Sequence, residues 1–134
     1  RPQENKERDL MHTGLAAWHR YMQTGDTALL SELIAPDAVF HSPVVHTPQK
    51  GHAKVMMYLT AAGQVFGNTG FTYVRELVDG PEALLEFTAT VDGIHVNGID
   101  LIRFDLEGEI IDNHDLLAMI LEAMAMRVAA LIAF

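Results

Sequence analysis

Apolar positions in the first part of the chain recur at helical spacing. Leu10, Met11, Leu15, Trp18, Tyr21 and Met22 share one face of a 3.6-residue repeat, which predicts a helix over about 7–24. Gly25 suits its C-terminal stop. Asp26 or Thr27 can cap a second, short helix that turns Leu29, Leu30, Leu33 and Ile34 inward and ends ahead of Pro36. "AVFHSPVV" reads as a strand over 38–45 broken by Pro43, and "HTPQKG" as a loop. A third helix over about 53–66 presents Val55, Met56, Leu59, Ala62 and Phe66 on one side, and "GNTG" ends it. From there the period drops to two. "FTYVRELV" is followed by the turn "DGPE". "ALLEFTATV" then sets Ala83, Leu85, Phe87, Ala89 and Val91 on one face. "DG" at 92–93 marks a hairpin before "IHVNGIDLIRFD", and "LEGE" a turn before "IIDNHDLLAMI". An apolar helix closes the chain. Helices first, then a meander, define the α+β class. The expected architecture is a curved antiparallel sheet wrapped around helices, leaving a cone-shaped pocket that suits a small molecule. No repeat or linker divides the sequence, so 1–134 reads as one domain, with 1–8 a flexible or fraying N-terminus.

Composition narrows the partners. Half the residues are hydrophobic, and nine basic against eighteen acidic side chains give a net charge of −9. That balance argues against nucleic acid and anionic membranes, which need clustered Lys and Arg. With no cysteine, disulfides, thiolate catalysis and Cys-zinc sites are excluded, and a cytoplasmic protein fits. "RPQENKERD" is too polar for a signal peptide. "LLAMILEAMAMRVAALIAF" has roughly the ~20-residue spanning length, but Glu122 and Arg127 interrupt it. A helix buried in the core or at a subunit interface is the expectation there, not a membrane span. Seven histidines are many for this length. None shows zincin spacing with a Glu. His95, His114 and Asp115 would need three inward side chains to hold a metal, and alternation puts His114 and Asp115 on opposite faces. No metal or cofactor is expected. His41 and Ser42 are neighbours, but adjacency alone makes no nucleophile–base bond.

"WHRYMQTGD", "DAVFHSPVVHTPQKG" and "VNGIDLIRFDLEGEI" resemble the SnoaL-like polyketide cyclase group. That group shares its cone-shaped fold with ketosteroid isomerase and nuclear transport factor 2. The resemblance covers about residues 9–112. It implies three isomerase roles that can be matched to residues here. Asp100 matches the strand acid of the oxyanion hole, where an apolar setting raises a carboxyl pKa and keeps it a donor. The partner tyrosine on the first helix falls on Trp18, whose indole donates but is not a tunable acid. The base falls on Ser42, which cannot accept an α-proton at neutral pH without activation. Two of the three roles are vacant by this matching. SnoaL-type cyclases imply instead a pocket Asp acting as acid or base in an aldol closure, which Asp100 could supply. The alternative for Asp100 is a structural one: it binds a neighbouring Trp, Ser or backbone N–H and orders the pocket.

The last strand carries Asp112, Asn113, His114 and Asp115 in a row. If Asp100 faces the cavity with Gly98, Ile102 and Phe104, the family's register turns Asn113, Asp115 and Leu117 inward and Asp112, His114 and Leu116 outward. A β-bulge would exchange the two sets. Polar groups in an apolar wall, followed by an Ala- and Met-rich helix without the family's Arg-Pro step, mark where the chain leaves its family. So local a departure resembles re-engineering of a natural scaffold. The expected function is binding of a mostly apolar, sterol-sized molecule. Trp18, Phe40, Ser42, Met56, Leu59, Phe87, Asp100, Phe104, Asn113, Asp115 and Leu117 would line the site. The alternative is a cyclase, isomerase or engineered proton-transfer enzyme using Asp100 or Asp115 as acid or base. A homodimer is expected under either reading.

Overall fold

The computed structural model describes residues 2–42, 47–67 and 69–118. The order is α1 (Pro2–Thr24), α2 (Thr27–Leu33), β1 (Ile34–His41), β2 (Gln49–Lys50), α3 (His52–Phe66), β3 (Thr72–Asp79), β4 (Glu82–Val91), β5 (Ile94–Phe104) and β6 (Ile110–Ala118). The closing helix expected from the sequence lies outside the described residues, as do Pro43 and His46.

α1 begins at Pro2, earlier than its apolar spacing reaches, because proline suits a first helical position and the Gln, Glu, Lys and Arg that follow are good helix formers. α2 is one short stretch held at its start by Asp26, whose carboxylate accepts from the Ala28 and Leu29 amides at 3.0 and 3.4 Å. Its last residue runs directly into β1, so Pro36 sits within a strand and not after a helix. Part of the expected loop, Gln49–Lys50, pairs as a two-residue edge strand with β1. α3 buries Val55, Tyr58 and Leu59.

The six strands form one curved, unclosed sheet in the order β2-β1-β6-β5-β4-β3. β3 to β6 are an antiparallel meander, while β1 pairs parallel to β6. The β4–β5 hairpin turns on Asp92 and Gly93, both with positive φ, as a two-residue primed turn requires. All ten residues of β4 keep register with β5.

Alternation along β4 and β5 sends Ala83, Leu85, Phe87 and Ala89, and Val96, Asp100, Ile102 and Phe104, to the inner face. Ala83, Leu85, Ile102 and Phe104 pack with Leu15, Trp18 and Tyr21 of α1, Leu30 and Leu33 of α2, Phe40 of β1 and the buried face of α3, while Phe87 and Val96 form a smaller cluster. Tyr58, which the sequence pattern did not single out, packs against Phe40 with ring centroids 5.8 Å apart. One close approach sets the base of the assembly. At Gly14 of α1, an added Cβ would stand 2.2 Å from the Gly108 carbonyl oxygen of the β5–β6 turn and 2.7 Å from the Phe104 ring.

Candidate functional site

A bulge decides which residues of β6 face inward. Arg103 pairs with Asp112, but Phe104 pairs with Ile110, so Ile111 is the extra residue. The slip lies before Asp112 and leaves the rest of the ladder in step. Ile102 stands opposite Asn113, Asp100 opposite Asp115, and Gly98 opposite Leu117. Asn113 is accordingly fully buried, as the sequence register expects. Asp112 is half-buried and pairs with His41 of β1, Oδ1 to Nε2 at 3.2 Å.

The centre of the inner face is a chain of three side chains. The Trp18 indole N–H donates to the Tyr73 hydroxyl at 3.0 Å, and that hydroxyl donates to Asp100 Oδ2 at 2.5 Å. Trp18 and Asp100 are 3% and 6% exposed. Three elements meet here: α1 supplies the indole, β3 the phenol and β5 the acid. Tyr73 must cross over β4 to reach β5. Adjacent strands lie about 4.8 Å apart, so the full length of the side chain and the curl of the sheet are both used. Phe71 and Phe87 brace it. Their rings stack at 4.6 Å, and Phe71 meets Tyr73 edge-on at 5.1 Å. Behind Trp18, the Tyr21 ring is tilted at 5.7 Å, and burial raises the Tyr21 phenol above its usual pKa.

Sequence reasoning missed Tyr73. Seven of the eight β3 residues, all but Tyr73, are exposed, so the strand reads as a solvated edge. The available signal was chemical: of three tyrosines, this one alone falls in a strand pattern. Its presence changes the earlier matching. The phenol that α1 lacks at Trp18 is supplied from β3, already donating to Asp100.

The expected lining residues divide into groups. Trp18, Phe40, Leu59 and Phe104 are buried in one cluster with Met56 packed at its side, whereas Phe87 belongs to a smaller cluster with Val96, Phe66 and Phe71. Tyr73 touches both clusters. Ser42 follows β1 and is half-buried. For Asp115 and Leu117 the ladder gives position only, opposite Asp100 and Gly98.

Asn113 is different in kind. It sits between Phe40 of β1 and Ile102 of β5, and among the described residues neither its Oδ1 nor its Nδ2 has a hydrogen-bond partner.

Away from the cone, an open cleft of about 210 Å³ lies between α1, α2 and the β5–β6 turn, lined by Thr13, Arg20, Glu32 and Glu107 among others. It shares no residue with the expected site. Beside it, Asp105, Glu107 and Glu109 bring carboxylate oxygens within 4.8 Å of one another. Asp105 uses its carboxylate to close the turn, accepting from the Glu107 and Glu109 amides at 2.9 Å. Desolvation, then the nearby Asp105 and Glu107 charges, raise the Glu109 carboxyl pKa. The Asp105 role is a turn-forming one. Among the described residues no helix is long and apolar enough to cross a membrane.

The curved, unclosed sheet with its helices belongs to the superfamily that includes ketosteroid isomerase-like and nuclear transport factor 2-like proteins. Within it, the chain belongs to the SnoaL-like domain family, whose model matches residues 15–113. A steroid delta-isomerase from Pseudomonas aeruginosa has a similar structure, with a TM-score of 0.82 and 34% identity over 92% of this chain and 89% of that one. A cystatin-like protein from Silicibacter pomeroyi DSS-3 follows at 0.79 and 27%, covering 92% and 84%. A putative ketosteroid isomerase from Kribbella flavida, at 0.66 and 18% identity over 88% and 82%, shares the fold. No curated protein matches the chain. The family and fold support a small-molecule binding role or an isomerase- or cyclase-type role.

Proposed function

We propose that this protein binds a mostly apolar small molecule inside the cone and holds one of its oxygens at Asp100. The observation that carries this reading is the Trp18–Tyr73–Asp100 chain. Its direction is fixed, because the indole can only donate, which leaves the Tyr73 proton for the acid. A buried network ordered in this way is set before a ligand arrives, and a carboxylate has acceptor capacity for a ligand hydroxyl beyond one phenol. The surrounding aromatic and aliphatic wall supplies the apolar contact that specific pockets use. Isothermal titration with 2-naphthol and with the steroid phenol equilenin tests it. Micromolar binding is expected, weakened tenfold or more in Asp100→Leu. Absence of heat for both ligands at high micromolar concentration would sink the reading, whether the polar wall is natural or re-engineered.

A second reading is favoured by the likeness to the Pseudomonas aeruginosa steroid delta-isomerase. Asp100 with Tyr73 would polarise a ligand carbonyl, and Asp115, opposite Asp100 in the ladder, would be the base. Ser42 in the base position of the resemblance argues against the usual steroid route. A pH–rate profile on 5-androstene-3,17-dione checks it, and unchanged rates in both Asp100→Asn and Asp115→Asn rule it out.

The setting we propose is a cytoplasmic homodimer. Exposed Val74, Leu77 and Val78 on the edge strand β3 support it. Light scattering across a concentration series is expected to give twice the 14.8 kDa chain mass, with Leu77→Lys shifting it toward the monomer.

A further inference from the structure

Asn113 has an environment that folding alone does not explain. Its side chain is fully buried, yet among the described residues neither amide atom has a partner. β6 lies between β1 and β5, so the sheet backbone on either side is committed to ladders. Its lateral neighbours are Phe40 and Ile102, which offer no polar atom. The inner face is the side left from which a partner can come, and both amide atoms are closed off there from bulk water. An amide left this way costs the full desolvation of its groups, whereas an apolar residue of similar shape would not. Natural cores leave few such groups, and each calls for a reason.

The ladder fixes where this amide stands relative to the acid. Asp100 pairs with Asp115, and Asn113 lies two residues along β6 on the same side of the bulge. That is one diagonal step across the pair, roughly 7–8 Å. We propose that Asn113 is a second polar anchor of the cone. It takes a ligand hydroxyl or carbonyl one diagonal step from Asp100, and so selects compact fused rings with oxygens on neighbouring rings. An amide offers one acceptor and two donors, so a hydroxyl or a carbonyl satisfies it. Molecules whose two oxygens sit at opposite ends of a long skeleton reach one anchor and not both. The inference rests on the cone-binding reading above and sharpens its ligand class.

The test compares 2-naphthol, with one oxygen, and 2,7-dihydroxynaphthalene, with one on each ring, by titration against the whole chain. The diol is expected to bind at least tenfold more tightly. In Asn113→Leu that advantage should fall below threefold, while the melting temperature rises by several degrees, because the orphaned amide is gone. Asn113→Val gives the same two readouts with a smaller side chain, should leucine overfill the site. If wild type binds 2-naphthol in an Asp100-dependent way but shows no preference for the diol, the second anchor is overturned and the cone reading stands. A preference that survives both substitutions overturns it equally. A fall in melting temperature in both variants would make Asn113 a support of the fold, against the proposal. If wild type binds neither probe, the cone reading falls and this inference with it.

Discussion

Gly14→Ala is expected to destabilise the protein by roughly 3 kcal/mol or more, at the upper end of overpacking substitutions. Helix propensity alone gives the opposite sign, since alanine is favoured over glycine within a helix by about 1 kcal/mol. The contact decides. The new methyl would stand 2.2 Å from the Gly108 carbonyl oxygen. That atom belongs to the backbone, so no rotamer change relieves the clash. Gly108 itself has φ +82°, in a turn tied by the Asp105 carboxylate and by backbone bonds between Asp105, Gly108 and Glu109. α1 would have to lift away from β5 and β6, taking Trp18 with it. Urea unfolding of the variant measures the loss. A midpoint equal to or above that of wild type would mean that the helix does not rest on the turn.

Tyr73→Phe is expected to lower stability by roughly 2–4 kcal/mol and binding of 2-naphthol by tenfold or more. The substitution keeps the ring and its contacts with Phe71 and removes a single oxygen. Two bonds go with it: the buried Trp18 N–H loses its acceptor and Asp100 loses a donor. Each buried group stripped of a partner costs about 1–3 kcal/mol. The comparison with Asn113→Leu is informative, because the signs should differ. Removing a polar atom that has partners weakens the fold, and removing polar atoms that have none strengthens it. Thermal melts of both variants check this, and a matched shift in the same direction would contradict it.

The meander was legible because period-two alternation is strong in β4 and β5 and the turn residues at 92–93 are specific. The inward set of β5 followed from the same alternation, and burial of Asn113 from the register that the family resemblance implied. The parallel pairing of β1 with β6 was not legible, since neither periodicity nor turn chemistry reports on strands so far apart in sequence. β2 was missed because a two-residue edge strand carries no pattern of its own. The bulge at Ile111 was named only as a hazard. Its position, ahead of Asp112, is set by how the turn at Asp105–Glu109 meets β6, which is a tertiary matter. Tyr73 escaped for a related reason. Its partners lie on α1 and on β5, across an intervening strand, and a one-dimensional pattern holds no record of that crossing.

The neighbourhood of β6 also constrains how the molecule assembles. β4, β5 and β6 can pair as they emerge, each with the strand just before it, through short loops that close rapidly. β1 is made long before any of them but gains its main neighbour only when β6 has been synthesised. Until then Phe40 has no Asn113 beside it and one edge of β1 stays open. The wall that carries Asn113 is therefore the last part of the sheet to close. Contacts of such high sequence separation slow folding, so the rate-limiting event expected for this chain is the docking of its earliest strand on its latest.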